Sequence, residues 1–194
     1  MRHCKRISTL ILGGIATVAV GAFAPAAAKA QETPPAPGVA GLLNQANAIN
    51  YEEIEMAKVA KDKAGDNQAL LTLAKTMQDD HQANEDALTA LSRQKNVKVE
   101  GTPGAIEEKK KNMENLNGGQ FNEAFLKDAI EGHSRALSYF EGERAKFKGD
   151  PDVYLYVQET IPVVRAHLEM ARAMKQQLGQ NTRQKPEDNK HAGN

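Results

Sequence analysis

Four segments of this chain carry apolar residues at alternating steps of three and four, and glycine, proline and asparagine punctuate the gaps between them. That spacing keeps the apolar side chains on one face of an α-helix, so each segment must find other helices to cover its stripe. The first stripe is Leu42, Ala46, Ile49, Glu53, Met56 and Ala60, and the second is Leu70, Ala74, Met77, His81, Asn84, Leu88 and Leu91. The third runs Leu126, Ile130, His133, Leu137, Phe140, and the fourth Val153, Val157, Thr160, Val164, His167, Ala171, Met174, Leu178.

The punctuation sets expected boundaries of Val39–Ala64, Asn67–Gln94, Gln120–Lys148 and Pro151–Leu178. Gly65-Asp66 ends the first helix, while Gly149 stops the third just before Asp150 caps the fourth and Pro151 opens it. So tight a turn makes the last two helices antiparallel neighbours. Pro162 lies inside the fourth and is expected to kink it, freeing the carbonyl of Gln158. The connection between the second and third helices exceeds about twenty residues, and loops that long usually carry structure of their own. Within it, Thr102-Pro103 reads as the cap and first turn of a short helix ending at Asn117-Gly118-Gly119. The expected fold is all-α: a four-helix bundle with a short extra helix in the second connection.

Residues 1–30 stand apart. A basic start (Arg2, Lys5, Arg6), an apolar run from Leu10 to Ala24 and Ala28-Lys29-Ala30 have the form of a secretory signal peptide cleaved after Ala30, which implies a periplasmic or secreted protein. Residues 31–38 read as a proline-rich leader, 39–180 as the bundle domain, and 181–194 as a disordered polar tail. Cleavage would remove Cys4, the chain's one cysteine, leaving His, Asp and Glu as the strong candidates for site chemistry. It would also remove four bases, leaving 21 against 25 acids, a balance that excludes nucleic acid as a partner. No second apolar run approaches membrane-spanning length, and no motif names a protein partner. A monomer and a homo-oligomer both fit the residues.

Each stripe carries one conspicuous polar residue near the middle of its helix: Glu53, His81, His133 and His167. In a bundle the midpoints share a layer whichever way each helix runs, so these four side chains are expected to converge. Three imidazoles and a carboxylate match the ligand set of a single Zn, Fe or Cu ion, with Asp79, Asp80 and Glu85 placed to hold histidine tautomers from outside and Pro162 near His167. A ferritin-type di-iron centre would need a carboxylate three residues before each of two histidines, and those positions hold Gln78, Ile130 and Val164. The pair Asp79-Asp80 reads as a solvated edge rather than a general base, and no nucleophile or phosphate-binding loop is present.

Four ordered motifs carry a resemblance: NYEEIEMAKVA at 50–60, MQDDH at 77–81, GGQFNEAFLKDAIEGH at 118–133 and TIPVVRAHLEMA at 160–171. Together they resemble domain-of-unknown-function family four-one-four-two, exported bacterial proteins often labelled predicted outer membrane proteins and grouped with the ferritin-like bundles. The family pattern falls on Glu53, Asp80, His81, His133, Pro162 and His167. Asn122, Phe125 and Gly132 stand where the family more often has Asp, Tyr and an acid. The resemblance implies a ferritin-like fold and an exported protein of unsettled activity. Two functional readings follow, with an enzyme third. One is a bundle that binds a single transition-metal ion through Glu53, His81, His133 and His167. The other is a metal-free structural, stress or protein-interaction module of the cell envelope, in which the buried Glu/His layer only specifies the fold.

Overall fold

Each apolar stripe becomes one long helix. In the computed structural model, residues 38–100 and 103–184 are described. The expected signal peptide, most of the leader, the cap at Thr102 and tail residues 185–194 lie outside them. The elements are α1 (Val39–Lys63), α2 (Gln68–Gln94), a short α3 (Pro103–Glu114), α4 (Gly118–Arg144), a 3-10 turn over Ala145–Phe147, and α5 (Pro151–Gln184). Among the described residues there is no strand. This is the all-α bundle expected, with the extra helix in the second connection.

Local chemistry explains the boundaries. Gly65 takes φ +52°, a left-handed conformation that suits glycine, and lets the chain reverse after α1. Asn67 then caps α2, its Oδ1 accepting from the Leu70 N–H at 3.1 Å. At the other hairpin Asp150 Oδ1 accepts from the Val153 N–H at 3.3 Å and from Lys95 Nζ at 2.7 Å, so one carboxylate both starts α5 and ties it to the end of α2. Several boundaries differ from expectation: α3 stops at Glu114, short of Asn117, and Gly118 and Gly119 open α4 ahead of Gln120. The third long helix relaxes into the 3-10 turn at Ala145–Phe147, where Phe147 is buried, instead of continuing to Lys148. The fourth runs past Leu178 to Gln184 and continues through Pro162 without a break. Nothing apolar follows Leu178 up to Gln184, so no stripe marks this last stretch; extending a formed helix adds a hydrogen bond per residue with no new nucleation.

Two apolar clusters give the topology. One joins the second half of α1 (Met56, Ala60), the first half of α2 (Leu70, Met77), the first half of α4 (Phe121, Phe125) and Ala171 in the second half of α5. The other joins the opposite halves through Leu42, Leu88, Phe140 and Val157. Hence α1 and α5 run one way, α2 and α4 the other. The order around the bundle is α1, α2, α5, α4, and every neighbouring pair is antiparallel. The α2 to α4 connection must therefore travel the length of the bundle, and a single long crossover is the connectivity of ferritin-like bundles. On that path α3 lies over α1 and α4. Ile106 and Met113 are buried, Lys109 bridges Glu52 and Asp128, and Lys110 pairs with Glu55 at 2.9 Å.

Between the two apolar clusters the bundle is polar. Asn50 and Glu53 of α1, His81 of α2, His133 of α4, and Thr160 and His167 of α5 are all buried there.

Candidate metal centre

Asn50 and Glu53 lie one turn apart on α1, and His81 and Asn84 one turn apart on α2, so each pair shares a helix face. His133 and His167 come from the middle of α4 and α5. The three imidazole centroids lie 5.2 to 5.5 Å apart, forming a nearly equilateral group. His133 Nε2 stands 3.3 Å from His81 Nε2 and 3.3 Å from His167 Nδ1. One nitrogen from each ring lies within 4.8 Å of those offered by the other two.

The outward edge of each ring decides where its proton sits. His133 Nδ1 is 2.8 Å from the Ala129 carbonyl, which can only accept, so Nδ1 carries hydrogen and Nε2 is bare. His167 Nε2 donates to Asp80 Oδ2 at 2.9 Å, leaving Nδ1 bare. His81 Nδ1 donates to Asn50 Oδ1 at 3.1 Å, leaving Nε2 bare. Three lone pairs therefore face one another with no hydrogen between them, an arrangement that favours a cation at the centre. Burial, and then the neighbouring rings, hold His81 well below the usual imidazole range; the same causes push His133 down to about 4. Burial lowers His167 too, against the pull of Asp80. Neutral imidazoles are the form that binds metal.

The dimensions fit an ion. Three ring nitrogens within 4.8 Å of one another leave room for one ion between them. The 3.3 Å edges also match the roughly 3.3 Å separating two ligands of a tetrahedral ion with bonds of about 2.0 to 2.1 Å.

Glu53 reaches the layer from the other side of His133. Its Oε1 is 3.5 Å from Nδ1, the nitrogen turned away from the triad's centre. The carboxyl lies against Gly132, at the base of a cleft of about 200 Å³ between α1 and α4 that Arg135 and Tyr139 also line. Burial, then Asp128 and Glu52, raise its pKa to about 8. Of the acids expected around the site, Asp80 touches His167 directly. Glu85 stands one residue removed, its Oε2 accepting from Asn50 Nδ2 at 3.0 Å. Asp79 is exposed and pairs with Lys75. Pro162 is exposed on α5, so the structure does not bring it into the layer.

The family described as Domain of unknown function (DUF4142) matches residues 24–174. The chain belongs to this family. No curated protein and no solved structure matches it. The family's description names no activity, which leaves the activity to be argued from the site.

Sequence reasoning overlooked four groups here: Asn50, Asn84, Tyr156 and the Ala129 carbonyl. A signal existed for Asn84, which interrupts the second apolar stripe three residues after His81, as Thr160 interrupts the fourth seven residues before His167.

Proposed function

We propose that this DUF4142 protein is an exported helical bundle that holds a single first-row transition-metal ion through His81, His133 and His167. The observation that carries the reading is the convergence of three buried imidazole nitrogens, each left bare by an acceptor on the opposite edge of its ring. Nitrogen donors without thiolate suit Zn, Cu or Fe. Asp80, beside the outer nitrogen of His167, supplies negative charge to offset a divalent ion. A bound ion would supply Lewis acidity and, as iron or copper, a redox couple. Export is supported by the basic start, apolar run and Ala28-Lys29-Ala30 of residues 1–30.

Elemental analysis of protein purified from a secreting cell, with Zn²⁺ titration of the chelator-stripped form, tests it. One ion per chain is expected. Zn²⁺ at about a hundred times its Kd should add about 2.7 kcal/mol of stability, and His81→Ala, His133→Ala or His167→Ala should abolish that gain. Absence of bound metal together with a melting temperature indifferent to Zn²⁺ and chelator defeats the reading. A second reading, a metal-free layer that only specifies the fold, draws on one observation: His133 Nε2 stands 3.3 Å from both His81 Nε2 and His167 Nδ1, so rings that turned a hydrogen inward would pair with one another without an ion. On that reading chelator changes nothing, while Asn50→Ala still destabilises by leaving His81 unpaired.

A further inference from the structure

The amide that faces His81 Nδ1 belongs to a longer run of hydrogen bonds reaching Thr160 on α5. Thr160 Oγ1 donates to the Tyr156 carbonyl at 2.8 Å, four residues back in α5, and a carbonyl has no hydrogen to return. With its only proton committed, the hydroxyl must accept from Asn84 Nδ2, which stands 2.7 Å away. The amide nitrogen of Asn84 therefore faces Thr160, and its Oδ1 faces inward to accept from the Tyr156 hydroxyl at 2.7 Å and from Asn50 Nδ2 at 3.0 Å. The second proton on Asn50 Nδ2 goes to Glu85 Oε2 at 3.0 Å. Both amide protons are then used, and Asn50 can offer His81 Nδ1 only its oxygen, 3.1 Å away. Hydrogen ends on Nδ1, and Nε2 faces His133 bare.

Reversing one amide strains the next. A flipped Asn84 would set its amide nitrogen against Asn50 Nδ2 and leave Glu85 Oε2 as the one acceptor holding the Asn50 amide; an Asn50 that flips in turn presents N–H to His81 Nδ1 and pushes the ring's hydrogen onto Nε2. The run spans α5, α2 and α1, and Asn50 and Thr160 are buried.

Resting on the metal-site reading above, we propose that the hydrogen-bond run from Thr160 through Asn84 to Asn50 selects the nitrogen that His81 presents to the metal, making Thr160 and Asn50 positioning residues of the centre. Neither is a ligand.

The test compares Thr160→Val, Thr160→Ser, Asn50→Leu and Asn50→Asp with the natural chain. In the metal-free form, long-range proton–nitrogen NMR of the His81 ring reports which nitrogen carries hydrogen, and Zn²⁺ titration gives the affinity. The natural chain and Thr160→Ser should show Nδ1–H alone and equal affinity. Thr160→Val, nearly isosteric, should show a mixture with Nε2–H. Loss of an outer partner of a metal ligand should lower Zn²⁺ affinity about 10- to 100-fold in Thr160→Val and in Asn50→Leu. Asn50→Asp, which keeps an acceptor, should retain Nδ1–H. Unchanged His81 spectra in both Thr160→Val and Asn50→Leu overturn the proposal. So does Nε2–H in the natural chain. If the natural chain takes up no Zn²⁺, the metal reading fails, while the ring spectra of the same variants still decide the tautomer assignment.

Discussion

At position 132 a hydrogen stands where any other residue would put a carbon. A Cβ built there falls 2.7 Å from Glu53 Oε1, closer than such contacts occur, so the notch in α4 is the space the Glu53 carboxyl fills. Gly132→Ala displaces the end of the Glu53 side chain but gains about 1 kcal/mol of helix propensity, so in urea denaturation it should cost no more than about 1 to 2 kcal/mol, and should stabilise when Glu53 is already alanine. Equal cost in both backgrounds would show that the two positions do not couple. The same residues predict a pH optimum for the metal-free protein. Below the ordinary imidazole value of 6.5 the unfolded chain takes up protons that buried His81, His133 and His167 refuse, so stability falls as pH drops through 6.5 toward about 4. Above 6.5 the folded Glu53 keeps, up to about 8, a proton that the unfolded chain has released, so stability falls again. The denaturation midpoint should peak near pH 6.5, and Glu53→Gln should make the high-pH decline shallower.

Among the elements, α2 depends on Asn67, whose side chain caps the Leu70 N–H. Asn67→Ala should cost about 1 kcal/mol, which in a domain of this size lowers the melting temperature by about 2 to 4 °C; no change would mean that packing of Leu70 and Leu73 alone holds the first turn. The four long helices and the Asp150 cap were legible because apolar periodicity and Asx or glycine punctuation are local signals, whereas Asn67 was read as the first residue of α2 and not as its cap. The end of α5 was not, since beyond Leu178 nothing apolar remains to mark a helix that continues by propagation. Convergence of His81, His133 and His167 was legible from their mid-helix positions. The side from which Glu53 approaches His133 was not, because heptad phase places a residue on a face and says nothing about which ring edge it meets. Asn84 and Thr160 passed as ordinary polar members of their stripes, and Asn50 stood off the first stripe, for a related reason: their role lies in the direction of each hydrogen bond, which only assembled neighbours define.

For the whole molecule, the reading of residues 1–30 makes a simple prediction. Mass spectrometry of protein from a secreting cell should find a chain beginning at Gln31 or within a few residues of it, and a chain with Met1 intact in the membrane fraction would contradict it. The described residues hold no helix long and apolar enough to cross a membrane. Their crossover topology has a further effect. The chain is built as two hairpins, α1–α2 and α4–α5, and the triad is divided between them: His81 belongs to the first, His133 and His167 to the second. During synthesis the amino-terminal hairpin exists before its partner, and His167 follows His81 by 86 residues, about 4 to 17 s at ribosomal rates of about 5 to 20 residues per second. Throughout that interval the first hairpin carries one imidazole and no triad. On the metal reading proposed above, an ion that needs three rings would be captured only after the last long helix has been made, so loading would belong to the end of the molecule's assembly and could not seed its beginning.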